Sequence, residues 1–160
     1  MKIYLAGPVV TDNKDIKNDM DTLEAILHFI NVPYPDKVEI YRPGKHKVPN
    51  AWGIDMKTWA QCVFTMDVVA IDECDWMVVA DYGRQATAGT SWECGYAFAK
   101  GVKILVIQMP GVEESSLMTQ GCAANICKYE DFVAPENEAK LYEKFFYERG
   151  KKSNNNIILN

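Results

Sequence analysis

The sequence contains little histidine and no apolar run as long as a membrane span. Its two histidines, His28 in a helical pattern and His46 in a lysine-rich loop, form no serine–histidine or cysteine–histidine pair, so an imidazole-activated nucleophile is not expected. A transmembrane helix needs about 20 apolar residues in succession, and no segment approaches that length. Residues 1–8 have only a short apolar core and no small-residue cleavage pattern, unlike a signal peptide. We therefore expect a cytoplasmic protein without a membrane partner.

Motifs for cofactors and metals are also missing. No Gly-x-Gly-x-x-Gly motif follows the first apolar run and no Gly-x₄-Gly-Lys-Ser/Thr motif occurs, which disfavours a dinucleotide oxidoreductase and a P-loop phosphotransferase. The five cysteines, an odd number, have neither CxxC nor cysteine–histidine spacing, which disfavours both a disulfide framework and a zinc site. We expect buried or unused thiols, no metal and no cofactor.

A basic face is missing as well. The net charge is −5 at pH 7, and only residues 45–47 and 151–152 form small basic patches. Binding to a nucleic-acid polymer needs a concentrated cationic surface. The sequence therefore favours a small-molecule substrate over a nucleic acid.

What the sequence does contain is an alternation of strand and helix patterns along one domain. At 160 residues, with 48% hydrophobic and 24% charged, the chain has the composition of a soluble protein with one substantial core. Apolar runs predict strands at residues 3–6, 38–41, 76–80, 102–108 and 125–129. Helical spacing predicts helices at residues 14–31, 54–71 and 136–149, besides one that carries Glu93. The stripe of the second helix contains Trp59, Val63, Met66 and Ala70.

This order predicts an α/β fold with a five-stranded parallel sheet and helices on both faces. The domain is expected to span residues 1–149, followed by a polar tail at residues 150–160. In such a sheet, ligands bind beyond the carboxyl ends of the strands. The segments at those ends are Gly7-Pro8, residues 81–90 and residues 109–120.

Glu93 is the most informative acid, because it begins a helix of small and aromatic residues directly after one of those strand ends. The pattern Thr90-x-x-Glu93 also fits a capping box, in which both side chains satisfy free N–H groups of the helix start. The two interpretations are compatible, since the positive end of a helix favours an ionised carboxylate. Local sequence alone favours capping.

Asp67 and Tyr4 are the other candidates. Asp67 lies eight residues after Trp59, on or near the apolar stripe of the second predicted helix, where a carboxylate is either bonded into the structure or placed for function. A role in capping a loop or pairing with a lysine remains the alternative. Tyr4 is typical of a core strand residue, but its hydroxyl could reach a carboxylate at the edge of the sheet.

Several segments together resemble the nucleoside 2-deoxyribosyltransferase family. The resemblance rests on Lys2-Ile3-Tyr4-Leu5-Ala6-Gly7-Pro8, the stretch from Trp59 to Asp67 with Asp75, residues 89–101, and Ser116-Leu117-Met118, all in the family's order and spacing. It implies a single flavodoxin-like domain and a homo-oligomer built from dimers, up to a hexamer, with Ser116 and Met118 completing a neighbour's site.

The resemblance also implies a mechanism. Glu93 matches a nucleophile that attacks C1′ of a 2′-deoxynucleoside, forms a covalent deoxyribosyl-enzyme and yields the sugar to a second nucleobase with net retention. Tyr4 matches the tyrosine that orients this nucleophile, and Asp67 matches an aspartate near the nucleophile and the departing base. No cofactor is required. The residues expected to bind substrate are Gly7, Pro8, Asp81, Thr87, Gly89, Ser116 and Met118.

Two positions depart from the transferases. Thr87 replaces an aspartate that contacts the base, a role for which Asp81 and Gln85 are the candidates in the same loop, and Ser116 replaces an asparagine. Related deoxynucleoside 5′-monophosphate N-glycosidases use hydroxyl residues at these positions to bind the 5′-phosphate. Residues 8–15, however, lack the arginine and serine set of those hydrolases. The predicted function is therefore deoxyribosyl transfer, with the monophosphate hydrolase and a non-catalytic nucleotide-binding module as alternatives.

Overall fold

The computed structural model describes residues 1–9, 12–30, 37–83, 88–134, 136 and 140–146. The strands are β1 (Lys2–Ala6), β2 (Glu39–Tyr41), β3 (Trp76–Asp81), β4 (Lys103–Gln108) and β5 (Asn125–Lys128). The helices are α1 (Lys14–His28), α2 (Met56–Glu73), α3 (Ala88–Ala99), α4 (Leu117–Cys122), α5 (Tyr129–Val133) and a π-helical turn, α6 (Tyr142–Phe146). Two 3₁₀ turns, Pro43–Lys45 and Ala51–Gly53, precede α2.

The sheet has the order β2-β1-β3-β4-β5, and every neighbouring pair is parallel. The predicted fold class is confirmed: this is the flavodoxin-like strand order, with the chain reversing its direction of travel between β1 and β3. All six residues of β3 are buried, which explains its nearly continuous apolar sequence. The carboxyl ends of β1 and β3 therefore flank the point where ligands bind in such sheets.

Each face of the sheet has its own apolar core, because alternate strand residues point to opposite sides. Ile3 and Leu5 belong to the core that also contains residues of α1, whereas Tyr4 and Ala6 belong to the core with Ile71 of α2 and Cys94 of α3. The register of β1 with β3 pairs Tyr4 with Met77 and Ala6 with Val79. Tyr4 is thus directed toward the layer that holds α2 and α3.

The ends of the first two helices and of the fifth strand differ from the sequence predictions. The α1 helix ends at His28 rather than at residue 31. The α2 helix begins at Met56 because the Asp55 side chain accepts hydrogen bonds from the backbone of Lys57 and Thr58, both at 3.0 Å. β5 stops at Lys128, and the short helices α4 and α5 lie in segments for which no helix was predicted. Of the helix predicted at residues 136–149, the structure describes residues 136 and 140–146, and the tail at 150–160 lies outside the described residues.

Trp59, which lies on the apolar stripe predicted for the second helix, is not part of the buried core. Its residue surface is 41% exposed, and Ile71 is the buried residue of α2. The α2 sequence is apolar on most sides, so periodicity could not single out the face that packs on the sheet. In the part of the chain that the structure describes, no helix is both long and apolar enough to cross a membrane. All five cysteines are free thiols, with Cys94 buried and the other four partly buried.

Candidate active site

A buried hydrogen bond joins β1 to α3 at the centre of the site. Tyr4 is fully buried, and its hydroxyl donates to Oε1 of Glu93 at 2.8 Å across 89 residues of sequence. Glu93 is 8% exposed, so most of its carboxyl surface is withdrawn from water. The side chains predicted as orienting tyrosine and nucleophile are therefore in direct contact.

The capping-box interpretation of Glu93 is wrong. Thr90 is the third residue of α3 and Glu93 the sixth, so Thr90 lies inside the helix rather than at its N-cap. The carboxyl of Glu93 is instead engaged by the Tyr4 hydroxyl. A local sequence pattern suggested the cap, and a long-range contact with the sheet decided the outcome.

The surroundings of Glu93 bring the pKa of its carboxyl close to neutral pH. Burial raises the pKa of Glu93 to about 7, with the Tyr4 hydrogen bond lowering it and the nearby charge of Asp67 raising it. Burial and the charge of Glu93 also raise the pKa of Tyr4, so Tyr4 keeps its proton and acts as the donor. A carboxylate of this kind is a weakly solvated base and nucleophile once it is ionised.

Asp67 is held beside Glu93 by a second tyrosine. The hydroxyl of Tyr41, at the end of β2, donates to Oδ1 of Asp67 on α2 at 3.0 Å. Burial raises the pKa of Asp67, while the Tyr41 hydrogen bond and the charge of His46 lower it. The alternative role for Asp67, capping a loop or pairing with a lysine, is not what the structure shows, since its partner is a tyrosine.

Three rings form a column that supports these contacts. Tyr4 stacks on Tyr41 with centroids 5.4 Å apart, and Tyr41 stacks on His46 at 4.1 Å with an interplanar angle of 5°. His46 is exposed, so the column runs from the core to the surface. Tyr41 was missed by the sequence reasoning, and His46 was regarded only as a loop residue. The available signal was the Ile-Tyr pair shared by the two strands, since the parallel register places Tyr4 opposite Tyr41.

The strand ends bring further predicted residues to the same edge. Gly7 is buried, and a Cβ there would lie 2.9 Å from both Sδ and Cε of Met20, so a larger residue would require Met20 to move. Pro8 is partly buried beside it. Asp81 is 1% exposed, and its Oδ1 accepts a hydrogen bond from the backbone N–H of Gly83 at 2.9 Å. Among the described residues Oδ2 of Asp81 has no hydrogen-bond partner.

The remaining predicted binding residues are less closely tied to the carboxyls. Gly89 is exposed at the second position of α3, while Thr87 and Gln85 lie outside the described residues. Ser116 is the N-cap of α4, where its Oγ accepts from the backbone of Thr119 at 3.2 Å. Met118 is 83% exposed on α4. The structure thus places Ser116 and Met118 on an exposed helix.

A groove of about 800 Å³ lies between β2 and α2. Tyr41 contributes to its lining, together with apolar residues such as Met66 and Ala70, but neither Glu93 nor Asp67 does. Bond cleavage needs polar groups at the reacting atoms, and the two carboxyls of the site lie outside the lining of this groove. Within the described ranges, no group of three or more histidine, cysteine, aspartate or glutamate side chains is arranged to hold a metal ion.

Fold and site together indicate an α/β enzyme with two carboxyls that are each bound by a tyrosine, and a pair of carboxyls is the usual catalytic arrangement for cleaving glycosidic bonds. The model of the family described as nucleoside 2-deoxyribosyltransferase matches residues 3–137. The chain therefore belongs to the nucleoside 2-deoxyribosyltransferase family, and its chemistry concerns an N-glycosidic bond. The predicted family and enzyme class are confirmed.

Individual relatives agree with this assignment. A nucleoside deoxyribosyltransferase of Lactobacillus johnsonii is 29% identical over 130 residues, which cover 77% of this chain and 84% of that protein. The structure of a 2-deoxyribosyltransferase from Bacillus psychrosaccharolyticus is similar with a TM-score of 0.67 at 22% identity, covering 82% of this chain and 89% of the other. A CMP N-glycosidase of Clostridium botulinum is similar with a TM-score of 0.54 at 20% identity, covering 81% and 89%. The two structural likenesses concern the fold.

Proposed function

We propose that this protein is a nucleoside 2-deoxyribosyltransferase that works through a covalent deoxyribosyl intermediate on Glu93. The observation that carries the proposal is the buried hydrogen bond from Tyr4 to Glu93, with Asp67 close enough for its charge to raise the pKa of Glu93. A carboxyl held in this way has one oxygen fixed by the tyrosine. The second oxygen is the one that we assign to attack.

In the first displacement, a Glu93 oxygen forms a bond to C1′ of the 2′-deoxynucleoside as the bond from C1′ to the base nitrogen breaks. The base leaves with the electron pair of that bond, and its departure is easier when a proton is supplied to it. Asp67 lies close enough for its charge to act on Glu93, and its carboxyl is oriented by Tyr41. We assign to it the exchange of a proton with the base.

In the second displacement, a nitrogen of another nucleobase attacks C1′ and the ester bond to Glu93 breaks. The electron pair returns to Glu93 as a carboxylate, and the incoming base loses its proton to Asp67 or solvent. Two inversions at one carbon give net retention. The reaction consumes no cofactor.

The decisive assay offers deoxyadenosine or deoxyuridine with and without a second free base. A new deoxynucleoside that contains the added base is the expected product. Release of free deoxyribose at the same rate, whether or not the second base is present, would identify a hydrolase instead. An absence of any base release from nucleosides and nucleotides would contradict both reactions.

A hydrolase acting on 2′-deoxynucleoside 5′-monophosphates is the second candidate. It is favoured by Ser116, whose side chain carries a hydroxyl where the transferases have asparagine and which stands exposed at the start of α4. The fold likeness to a CMP N-glycosidase is compatible with it. Running the same assay on the 5′-monophosphates separates the two, since a hydrolase would release sugar phosphate and leave the free nucleosides uncut.

The rate of transfer should depend on the ionisation of Glu93. Because burial raises the pKa of Glu93 to about 7 and the nucleophile is the ionised form, kcat/KM for a base that departs without being protonated is expected to increase with pH up to about pH 7 and then to level off. Initial rates of base exchange between about pH 5 and about pH 9 measure this. A rate already at its plateau near pH 5 would mean that the carboxyl ionises with an ordinary pKa and would contradict the site's electrostatics.

We propose further that the enzyme is a homo-oligomer in which Ser116 and Met118 of one subunit reach the site of another. Two large apolar side chains of α4, Leu117 and Met118, are 81% and 83% exposed. Exposed apolar surface of this kind is typical of association sites. A groove between α3 and α4 includes both residues, so the surface adjoins the helix that carries Glu93.

Replacing Leu117 by aspartate is expected to dissociate the oligomer, because it would place a charge in an apolar contact. Light scattering should show a smaller particle, and activity should decrease as the oligomer is lost. Phe29→Asp is the control, since Phe29 is 79% exposed at the other side of the sheet, beyond α1. A Leu117→Asp protein that is monomeric and fully active would contradict the shared site.

A further inference from the structure

Asp67 is oriented by a side chain to which the function proposed above assigns no role of its own in the reaction. Tyr41 lies at the last residue of β2 and reaches Oδ1 of Asp67 with its hydroxyl at 3.0 Å. We propose that Tyr41 is a positioning residue of the reaction, which holds Asp67 so that one carboxyl oxygen stays bound and the other is presented to the nucleobase. This inference rests on the proposed function, because it assigns a role within the same site.

The geometry makes Tyr41 suitable for this role. The parallel register sets Tyr41 directly beside Tyr4, and the two rings stack at 5.4 Å and 24°. Each hydroxyl then donates a hydrogen bond to one carboxyl: Tyr4 donates to Glu93, and Tyr41 donates to Asp67. The two acids are therefore attached to one stacked pair of rings on neighbouring strands, and their separation is set by the sheet rather than by the mobile ends of their own side chains.

His46 completes the support on the outer side. Its ring lies parallel to that of Tyr41 at 4.1 Å, so Tyr41 is held between two rings and has little rotational freedom to lose when substrate binds. The Tyr41 ring also stacks on the ring of Tyr4, which is fully buried. A reacting group that is already fixed before binding contributes more to rate than one that must be ordered during the reaction.

The hydrogen bond also affects the proton of Asp67. The groups that face this carboxyl are Tyr41 from β2 and His46 from the following loop, with Tyr4 from β1 and Glu93 from α3 close enough to feel its charge. Burial raises the pKa of Asp67, and donation from Tyr41 opposes that effect. Loss of the Tyr41 hydroxyl should therefore leave Asp67 with a higher pKa and without a fixed orientation.

A second tyrosine–aspartate pair, whose aspartate lies on the same helix as Asp67, provides a matched control. The hydroxyl of Tyr96 on α3 donates to Oδ1 of Asp72 on α2 at 2.9 Å, at an exposed position. Tyr96→Phe removes a bond between the same chemical groups, five residues along the same helix from Asp67, without touching either reacting carboxyl. Any effect that is merely structural should appear in both variants.

The test compares Tyr41→Phe with Tyr96→Phe and the parent protein. Tyr41→Phe keeps the ring stack and is expected to lower kcat by about ten- to a hundredfold with little change in KM, as for the loss of a hydrogen bond to a charged group. Carbon-13 NMR of the aspartate carboxyls should show a raised pKa for Asp67 in this variant. Tyr96→Phe is expected to keep the parent's kcat and the parent's titration of Asp67.

The outcomes separate this inference from the proposed function. If the parent exchanges bases but Tyr41→Phe leaves kcat and the titration of Asp67 unchanged, the positioning role is contradicted while the function stands. If the parent cleaves no glycosidic bond, the proposed function fails, and with it the role of Tyr41 in the reaction, even if the carboxyl titration shows the expected bond. An equal decrease of kcat in both variants would show a structural effect and overturn the proposal.

Discussion

Glu93→Gln is expected to abolish base release and base exchange while leaving the fold intact. Glutamine has the shape of glutamate and can still accept the Tyr4 hydrogen bond, but its amide cannot form the ester to C1′. A decrease in rate of about 10⁴-fold or more is expected, as for the removal of a covalent nucleophile. Glu93→Ala should give the same loss of turnover. Chromatography of the bases released from deoxynucleosides measures it.

The same substitution should stabilise the protein at alkaline pH. Because the pKa of Glu93 is about 7 in the folded protein against 4.5 for the ordinary group, the folded state binds the proton more tightly. The stability that this contributes is fully present below about pH 4.5 and is lost as the pH rises through about 7. At about 1.4 kcal/mol per pKa unit, the loss is on the order of 3 kcal/mol. Glu93→Gln removes the ionisation, so its advantage over the parent should grow by up to that amount from about pH 5 to about pH 8.

Urea denaturation of both proteins at the two pH values measures this difference. Glu130→Gln, at an exposed position on α5, is the control and should change neither turnover nor the pH dependence of unfolding. Normal turnover by Glu93→Gln would sink the nucleophile assignment. Nucleoside binding unchanged in Glu93→Ala, together with a parent that cleaves no glycosidic bond, would favour the non-catalytic binding module.

Asp67→Asn is expected to slow the reaction by about 10²–10⁴-fold, the usual value of general acid–base help. The asparagine oxygen can still accept from Tyr41, so the geometry should survive while the exchangeable proton is lost. The largest loss is expected for bases that are poor leaving groups, and a smaller one for bases that depart without being protonated. Transfer rates for a series of deoxynucleosides measure the difference.

A second effect of Asp67→Asn concerns Glu93. The charge of Asp67 raises the pKa of Glu93, so removing that charge should move the rise of kcat/KM to lower pH even as the rate decreases. Asp72→Asn is the matched control, since Asp72 lies on the same helix and is bound by Tyr96 and Lys100 at the surface. A full rate in Asp67→Asn would remove Asp67 from the mechanism.

Much of the fold could be predicted because strong local patterns agree with it. β3 and β4 are nearly continuous apolar runs, and in the structure each lies within the sheet between two other strands, covered on both faces. Helix limits were less predictable, as α2 shows. The helix begins after Asp55, because the Asp55 side chain accepts hydrogen bonds from two backbone N–H groups of the first turn. Its buried face is set by the side that packs on the sheet, which the sequence of the helix does not specify.

The candidate site divides in the same way. Glu93, Asp67 and Tyr4 were predicted as site residues from their residue types and their positions relative to predicted strands and helices, with the family resemblance adding their expected roles. Tyr41 was not found, because a tyrosine at the end of a strand has no local signature of contact with an acid 26 residues away. The capping box failed for the related reason that the Tyr4 hydroxyl, 89 residues from Glu93, engages that carboxyl.

The sequence by itself determined that this chain is an α/β protein of the nucleoside 2-deoxyribosyltransferase family, because alternating apolar patterns and motif spacing are properties of the chain alone. Only the tertiary structure decided how the acids are held and when they ionise. Parallel pairing sets Tyr4 against Tyr41, and burial where α3 contacts β1 raises the pKa of Glu93 to about 7. Both effects arise from groups distant in sequence that share a small volume with little water, and in that environment charge and hydrogen bonding have their largest influence.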